Sequence, residues 1–253
     1  MKYDCVVIGS GVGGMTAALL LAMSGKKTAV VEKNLSPASL LKGFVRNGVR
    51  CQTGLHHTGG WHEGGPLRAL FQHLGVAQGL EEAPCDESGS DIFVVGGKKY
   101  HMPRGLRNIR EGLSEQFPSC KRAVESYLDK VMEINDRTCL LNFKLPYGEF
   151  PRELFSQRRS LADELAALRA HPDLTDMIGM FGFALTGATE DEAPFHLHAM
   201  AAGGFLRKTV SFKGGGKAVA DAFLRRLGEE GVDIFCDAEA RAVHVDDRRA
   251  FKG

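Results

Sequence analysis

The sequence predicts an α/β fold: a parallel sheet sandwiched by helices in three layers, interrupted by a mostly helical α+β insertion. Three observations predict it. Residues 6–32 read VVIGSGVGGMTAALLLAMSGKKTAVVE, an apolar run, a glycine-rich turn, a helical run and a second apolar run. From about residue 80 to 208 that texture gives way to helical periodicity. From residue 214 the helix-then-strand texture returns.

Taken in order, Tyr3–Ile8 reads as a short first strand. It runs into Gly9-x-Gly11-x-x-Gly14. Each glycine has a physical job: Gly9 lets the chain turn sharply out of the strand, and Gly11 lets a pyrophosphate approach the backbone. Gly14 lets the helix pack closely on the strand. The helix N-terminus then offers free N–H groups and a positive dipole end to phosphates. Ala18 and Ala22 keep the helix thin where it must lie on the sheet, and Gly25 stands where a C-cap is needed. Thr28–Val31 is the second strand, closed by Glu32, whose carboxylate can accept hydrogen bonds from a ribose diol. Together these make a Rossmann-like, dinucleotide-binding βαβ unit. An acid at this position disfavours a cofactor with a 2′-phosphate.

The insertion reads as follows. Asp91–Val95 and Lys98–His101 form a hairpin around Gly96-Gly97. After Pro103, Leu106, Ile109 and Leu113 share a helical face that Pro118 interrupts. Ala123–Ile134 is a clearer helix with Val124, Tyr127, Leu128 and Val131 buried. Further helices are expected over Glu153–Ala170, Asp176–Leu185 and Pro194–Leu206. Gly214-Gly215-Gly216 then marks the return: a helix over Lys217–Leu227, a cap at Gly231, and strands over Val232–Phe235 and Ala240–Val245. The expected domains are therefore residues 1–77 and 209–253 for the two segments of the nucleotide domain, and 78–208 for the insertion. The run RRAFKG at 248–253 looks like the start of a strand that pairs with 240–245, so a chain truncated at its C-terminus is expected.

Composition excludes several classes. With 32 Lys and Arg against 31 Asp and Glu, no polyanion partner is implied, which argues against nucleic acid. The six cysteines have no C-x-x-C spacing, so zinc ribbons and dithiol motifs are unsupported. The N-terminus carries no signal-peptide pattern, and the expected setting is cytoplasmic. No apolar run approaches the roughly 20 residues of a spanning helix, while contact with a membrane surface stays open.

Beyond the βαβ unit the chain resembles a known family. VVIGSGVGGMTAALLLAMSGKKTAVVEKN, FVRNGVRCQTGLHHTGG and SFKGGGKAVADAFLRRLGEEGVDIFCDAEARAVHV, in this order, are similar to the N-terminal half of FAD-dependent phytoene desaturases, carotenoid isomerases and retinol saturase-like oxidoreductases. The resemblance implies FAD, held by a split Rossmann-like domain with a substrate domain inserted in it. It implies redox or isomerisation chemistry at C–C and C=C bonds of a hydrophobic polyene or isoprenoid. It also implies the site residues. Gly9, Ser10, Gly11 and Gly14 would line the pyrophosphate, and Glu32 would bind the adenosine ribose with Lys33 beside it. Ala38, Ser39 and Leu40 would pass the cofactor, Gly54, Leu55 and His56 would lie near the isoalloxazine, and Ala240 would offer its backbone to the adenine. Where the family has a Gly-Gly pair after the ribose acid, this chain has Ala38-Ser39, and an Asp in the second piece is Gln52. In the family a further half completes the substrate domain, so a second polypeptide or a missing C-terminal half is an expected partner beside the hydrophobic substrate.

Other readings compete. A non-catalytic or split-enzyme FAD-binding module, and an NAD-linked dehydrogenase, share the same fingerprint. His56, His57 and His62 suggest a metal, but their spacing fits no standard zinc pattern, so none is expected. Met177, Ile178, Met180, Phe181, Phe183 and Leu185 suggest an apolar tunnel, with plain core packing as the competing account. Lys98, Lys99, Arg104, Arg107 and Arg110 read as a solvated basic face. No side chain stands out as a catalytic acid or base, because flavin chemistry at carbon does not require one.

Overall fold

In a computed structural model, which describes residues 2–83, 91–147, 159–246 and 249–250, the chain divides into two units. The first comprises Met1–His56, Phe71–Glu82 and Phe212–Gly253, and the second His57–Leu70 and Ala83–Ser211. In chain order the described elements are β1 (Cys5–Ile8), α1 (Val12–Met23), β2 (Thr28–Val31), α2 (Ser39–Lys42), β3 (Phe44–Arg46), β4 (Val49–Cys51) and α3 (Pro66–His73). Then come β5 (Asp91–Val95), β6 (Lys98–Met102), α4 (Leu106–Gln116), α5 (Lys121–Arg137), α6 (Leu161–Ala167), α7 (Pro172–Thr186), α8 (Phe195–Arg207), α9 (Gly215–Glu229), β7 (Asp233–Phe235), β8 (Val245–Asp246) and β9 (Arg249–Ala250).

The first unit is a parallel sheet in the order β1-β2-β7. Strand β2 lies in the middle, which is why Thr28, Ala29 and Val30 are buried. Val7 pairs with Val30, and Val30 with Ile234, so these three share a face. α1 covers that face: a Cβ on Gly14 would lie 3.4 Å from Val7 and 2.1 Å from the Gly9 carbonyl oxygen. Gly14 is therefore obligatory for the packing, as its place in the fingerprint predicts. Gly9 has φ +95°, the turn that only glycine takes at little cost. α1 buries Met15, Ala18 and Leu19, with Ala22 half-buried. It ends in a Schellman motif, Lys26 N–H donating to Leu21 and Gly25 N–H to Ala22. α9 packs beside α1, and its Phe223 meets Phe71 edge-on with ring centroids 5.3 Å apart. Its start is a close backbone contact, since a Cβ on Gly216 would meet the Leu41 carbonyl oxygen at 2.2 Å. On the other face of the sheet Val6 and Ile8 are exposed.

The strand expected over Ala240–Val245 is not formed. After β7 the backbone turns left-handed at Asp237 (φ 52°), and Asp237 and Ala238 donate to the carbonyls of Asn34 and Glu32. The chain thereby leaves the sheet, and pairing resumes only at Val245↔Ala250 and Asp246↔Arg249.

The second unit is mostly helical around one core. The hairpin β5–β6 turns at Gly96-Gly97, both with positive φ, as a two-residue primed turn requires. α5 and α8 lie at the centre. Val124, Tyr127, Leu128 and Val131 of α5 are all buried, the stripe expected from their spacing. The helix expected over Glu153–Ala170 is shorter, because a capping box between Ser160 and Asp163 starts α6 at Leu161. Residues 153–158 of that expectation lie outside the described residues. In α7, Met177, Ile178 and Phe181 belong to the core, whereas Met180 and Phe183 are exposed. Core packing rather than a tunnel accounts for the buried three. Ion pairs neutralise much of the basic face: Lys98 with Asp173, Arg107 with Glu111 and Arg110 with Asp129.

Candidate cofactor site

Glu32 is the electrostatic centre of the first unit. One carboxylate oxygen, Oε2, accepts from the Ser10 N–H at 2.9 Å and the Ser10 hydroxyl at 2.5 Å. The other, Oε1, accepts from the Asn34 N–H at 2.9 Å and the Asn34 side-chain amide at 2.6 Å. These donors, the Ser10 hydroxyl foremost, hold the carboxyl at about 2, well below its usual 4.5. Glu32 is thus ionised although only 7% exposed. The Ser10 hydroxyl also accepts from the Ala38 N–H at 2.9 Å. A single buried hydroxyl therefore ties together the glycine turn, the acid ending β2 and the following loop.

The rest of the site grows from that hub. Ala38 has φ 55° and ψ 35°, a left-handed conformation in the position where the resembling family has glycine. Ala38 thus carries a Cβ in a conformation that costs an L-residue backbone strain. Past Ala38 and Ser39, Leu40 is 80% exposed, and its carbonyl accepts from the Thr53 hydroxyl at 2.8 Å. Gly54 is pressed on the same carbonyl, where a Cβ would come to 2.6 Å. Leu55, half-buried, and His56, exposed, follow. On the other side of Glu32, Lys33 and Asn34 form a cleft of about 500 Å³ with Asp237, Glu239 and Arg241. Ala240 is exposed between the last two.

These residues fit a dinucleotide. A Cβ on Gly9, Gly11 or Gly13 would meet nothing within 4 Å, so the turn has open space above it. Gly11 is the N-cap of α1, and no side chain caps that helix. Its first N–H groups are thus presented to an incoming anion. The sequence reading missed Asn34, whose only sequence signal is an amide two residues beyond the acid.

The second unit has its own cleft, of about 430 Å³, half apolar and half polar in lining. Leu67, Met200 and Phe205 give it apolar surface, and His62, Asn135 and Arg207 polar surface. Gly59 and Gly60 press on α8 without side chains, the Gly60 N–H donating to Gly204 at 3.1 Å. Arg207 pairs with Asp136 at 2.5 Å. His62, with no partner at its buried Nδ1, is held below its ordinary pKa first by burial and then by the Arg207 charge. The sequence reading considered His62 only for metal binding and did not single out Asn135, Asp136 or Arg207. Among the described residues no group of three or more His, Cys, Asp or Glu is placed to hold a metal ion.

Comparison with known proteins agrees with this fold. Residues 7–74 match the NAD(P)-binding Rossmann-like domain. Human all-trans-retinol 13,14-reductase is 28% identical, over 97% of this chain and 43% of its own length. Prolycopene isomerase of carrot, Daucus carota, is 28% identical over 62% of this chain and 25% of its own. The chain is thus similar, over part of their length, to retinol 13,14-reductases and prolycopene isomerases. It spans less than half the length of these relatives. An oxidoreductase from Methanosarcina mazei shares the fold, with TM-score 0.65 and 18% identity over 97% of this chain and 54% of that one. Among the described residues no helix is long and apolar enough to cross a membrane.

Proposed function

We propose that the chain is the dinucleotide-holding part of an FAD-dependent oxidoreductase that works on C–C or C=C bonds of a hydrophobic polyene or isoprenoid. The observation that carries this reading is the Ser10–Glu32 link, which joins an open glycine turn to an ionised ribose acid. The names of the relatives, a retinol reductase and a prolycopene isomerase, supply the substrate class.

On this reading Gly9, Ser10, Gly11 and Gly14 hold the pyrophosphate against the start of α1, where backbone N–H groups and the helix dipole meet its charge. Glu32, Lys33 and the Ala240 backbone take the adenosine, and Ala38, Ser39, Leu40, Gly54, Leu55 and His56 take the remainder. Bound FAD supplies the redox chemistry. The protein orients the cofactor, excludes water from it and keeps Glu32 charged across the physiological range. The first unit is then the FAD domain in separate segments, and the second the substrate domain. The half-apolar cleft of the second unit suits an apolar substrate with a polar end. Localisation is cytoplasmic or at a membrane surface, and a further half or second polypeptide completes the substrate site.

The test is whether the purified chain carries, or takes up, a yellow chromophore that bleaches with dithionite. A colourless protein that does not bind added FAD contradicts the reading. A relative named as an inactive all-trans-retinol 13,14-reductase favours a second reading, a module that binds the cofactor without turnover. FAD binding without oxidation or isomerisation of any polyene, with the completing half supplied, would select it. NAD(H) binding in place of FAD would select an NAD-linked dehydrogenase.

A further inference from the structure

A carboxylate offers about four acceptor positions, two on each oxygen. On Glu32 all four are occupied, two by Ser10 and two by Asn34. A ribose diol cannot bind this carboxylate until one donor leaves. Three of the four are tied. The Ser10 N–H belongs to the glycine turn, and the Ser10 hydroxyl is held from its other side by the buried Ala38 N–H. The Asn34 N–H sits in backbone whose carbonyl accepts from Asp237 at 3.0 Å. The fourth, the Asn34 side-chain amide, hangs on rotatable bonds from an exposed residue. That residue lines the cleft formed with Lys33, Asp237, Glu239 and Arg241, so the amide has space to swing into.

We propose that the Asn34 side-chain amide is an exchangeable ligand of Glu32, occupying the place of the adenosine ribose and released when an adenine dinucleotide binds. The proposal rests on the dinucleotide reading above. It makes Asn34 a residue that sets affinity by competition: it keeps the buried carboxylate fully hydrogen-bonded in the free protein, and the ribose must displace it. The exchange trades one donor for another, so binding costs no unpaired charge.

Removing the competitor tightens binding. In isothermal titration with ADP, the fragment common to FAD and NAD, Asn34→Ala is expected to bind roughly three- to tenfold more tightly than wild type, the net size of one ordinary hydrogen bond. The gain is expected to vanish with 2′,3′-dideoxy-ADP, which has no ribose hydroxyl to take the vacated position. A folded Asn34→Ala protein with unchanged or weaker ADP affinity overturns the proposal and leaves the dinucleotide reading standing. Wild-type protein that binds none of ADP, FAD or NAD overturns both. The wild-type chain offers a second readout: the Asn34 side-chain amide resonance is expected to move to a solvent-like position on saturation with ADP. A resonance that stays in place contradicts the exchange.

Discussion

Close packing against glycine serves different ends in the two units. In the first, Gly14 and Gly216 let backbone approach backbone: an added Cβ would meet the Gly9 or Leu41 carbonyl oxygen at 2.1 or 2.2 Å. In the second, Gly203 and Gly182 make room for polar side chains inside a helical core. An added Cβ would lie 2.0 Å from the Asn135 amide nitrogen or 2.7 Å from the His198 ring. The first arrangement bares main-chain N–H groups in a turn, which suits a bound phosphate. The second buries Asn135, bonded to the Val131 and Ala199 carbonyls, and His198, bonded to Tyr127 at 2.8 Å, which ties α5 to α8.

The largest effect is expected where the clash is with backbone. Gly14→Ala should destabilise the first unit by about 3 kcal/mol, since neither the Gly9 carbonyl nor α1 can yield freely. Gly11→Ala, in open space, should leave urea stability within about 0.5 kcal/mol while weakening FAD binding. Equal stability losses in the two variants would break the distinction between packing and ligand glycines. In the second unit Gly203→Ala should cost about 2 kcal/mol by pushing Asn135 off its carbonyls, read by urea unfolding of Trp61, the chain's one tryptophan.

Acid weakens both units, but over different ranges. Burial lowers His198 from 6.5 to about 4, so the unfolded chain binds the proton more readily. That contribution is full above pH 6.5 and lost as pH falls towards 4, on the order of 3 kcal/mol over the whole range. Glu32, lowered from 4.5 to about 2, contributes fully above pH 4.5 and loses its part only between 4.5 and 2. Trp61 fluorescence in urea should therefore report weakening of the second unit at pH 5, and a His198→Asn variant should flatten that slope. An unchanged slope would remove His198 from the account. The smallest effect is a gain: Ala38→Gly should relieve the left-handed strain at φ 55° and stabilise by about 0.5–1 kcal/mol in thermal unfolding.

The sequence made the βαβ unit, the hairpin and the helical insertion legible, because hydrophobic period and turn glycines are local signals. It marked Ser10 and Glu32 separately and could not reveal their hydrogen bond, which spans 22 residues. Asn34 escaped for the same reason: only its geometry against Glu32 distinguishes it from an ordinary loop amide. The cleft of the second unit draws on three distant segments and has no sequence motif. Ala240–Val245 looked like a strand because its alternation is right, but the turn at Asp237 spends the next backbone donors on Asn34 and Glu32.

Hydrogen exchange of the chain with and without FAD tests the central claim most directly, because it reports where the cofactor is held. The account predicts slowed exchange at residues 9–14, 32–40 and 237–241. Protection absent from those segments, or confined to the second unit, would contradict it.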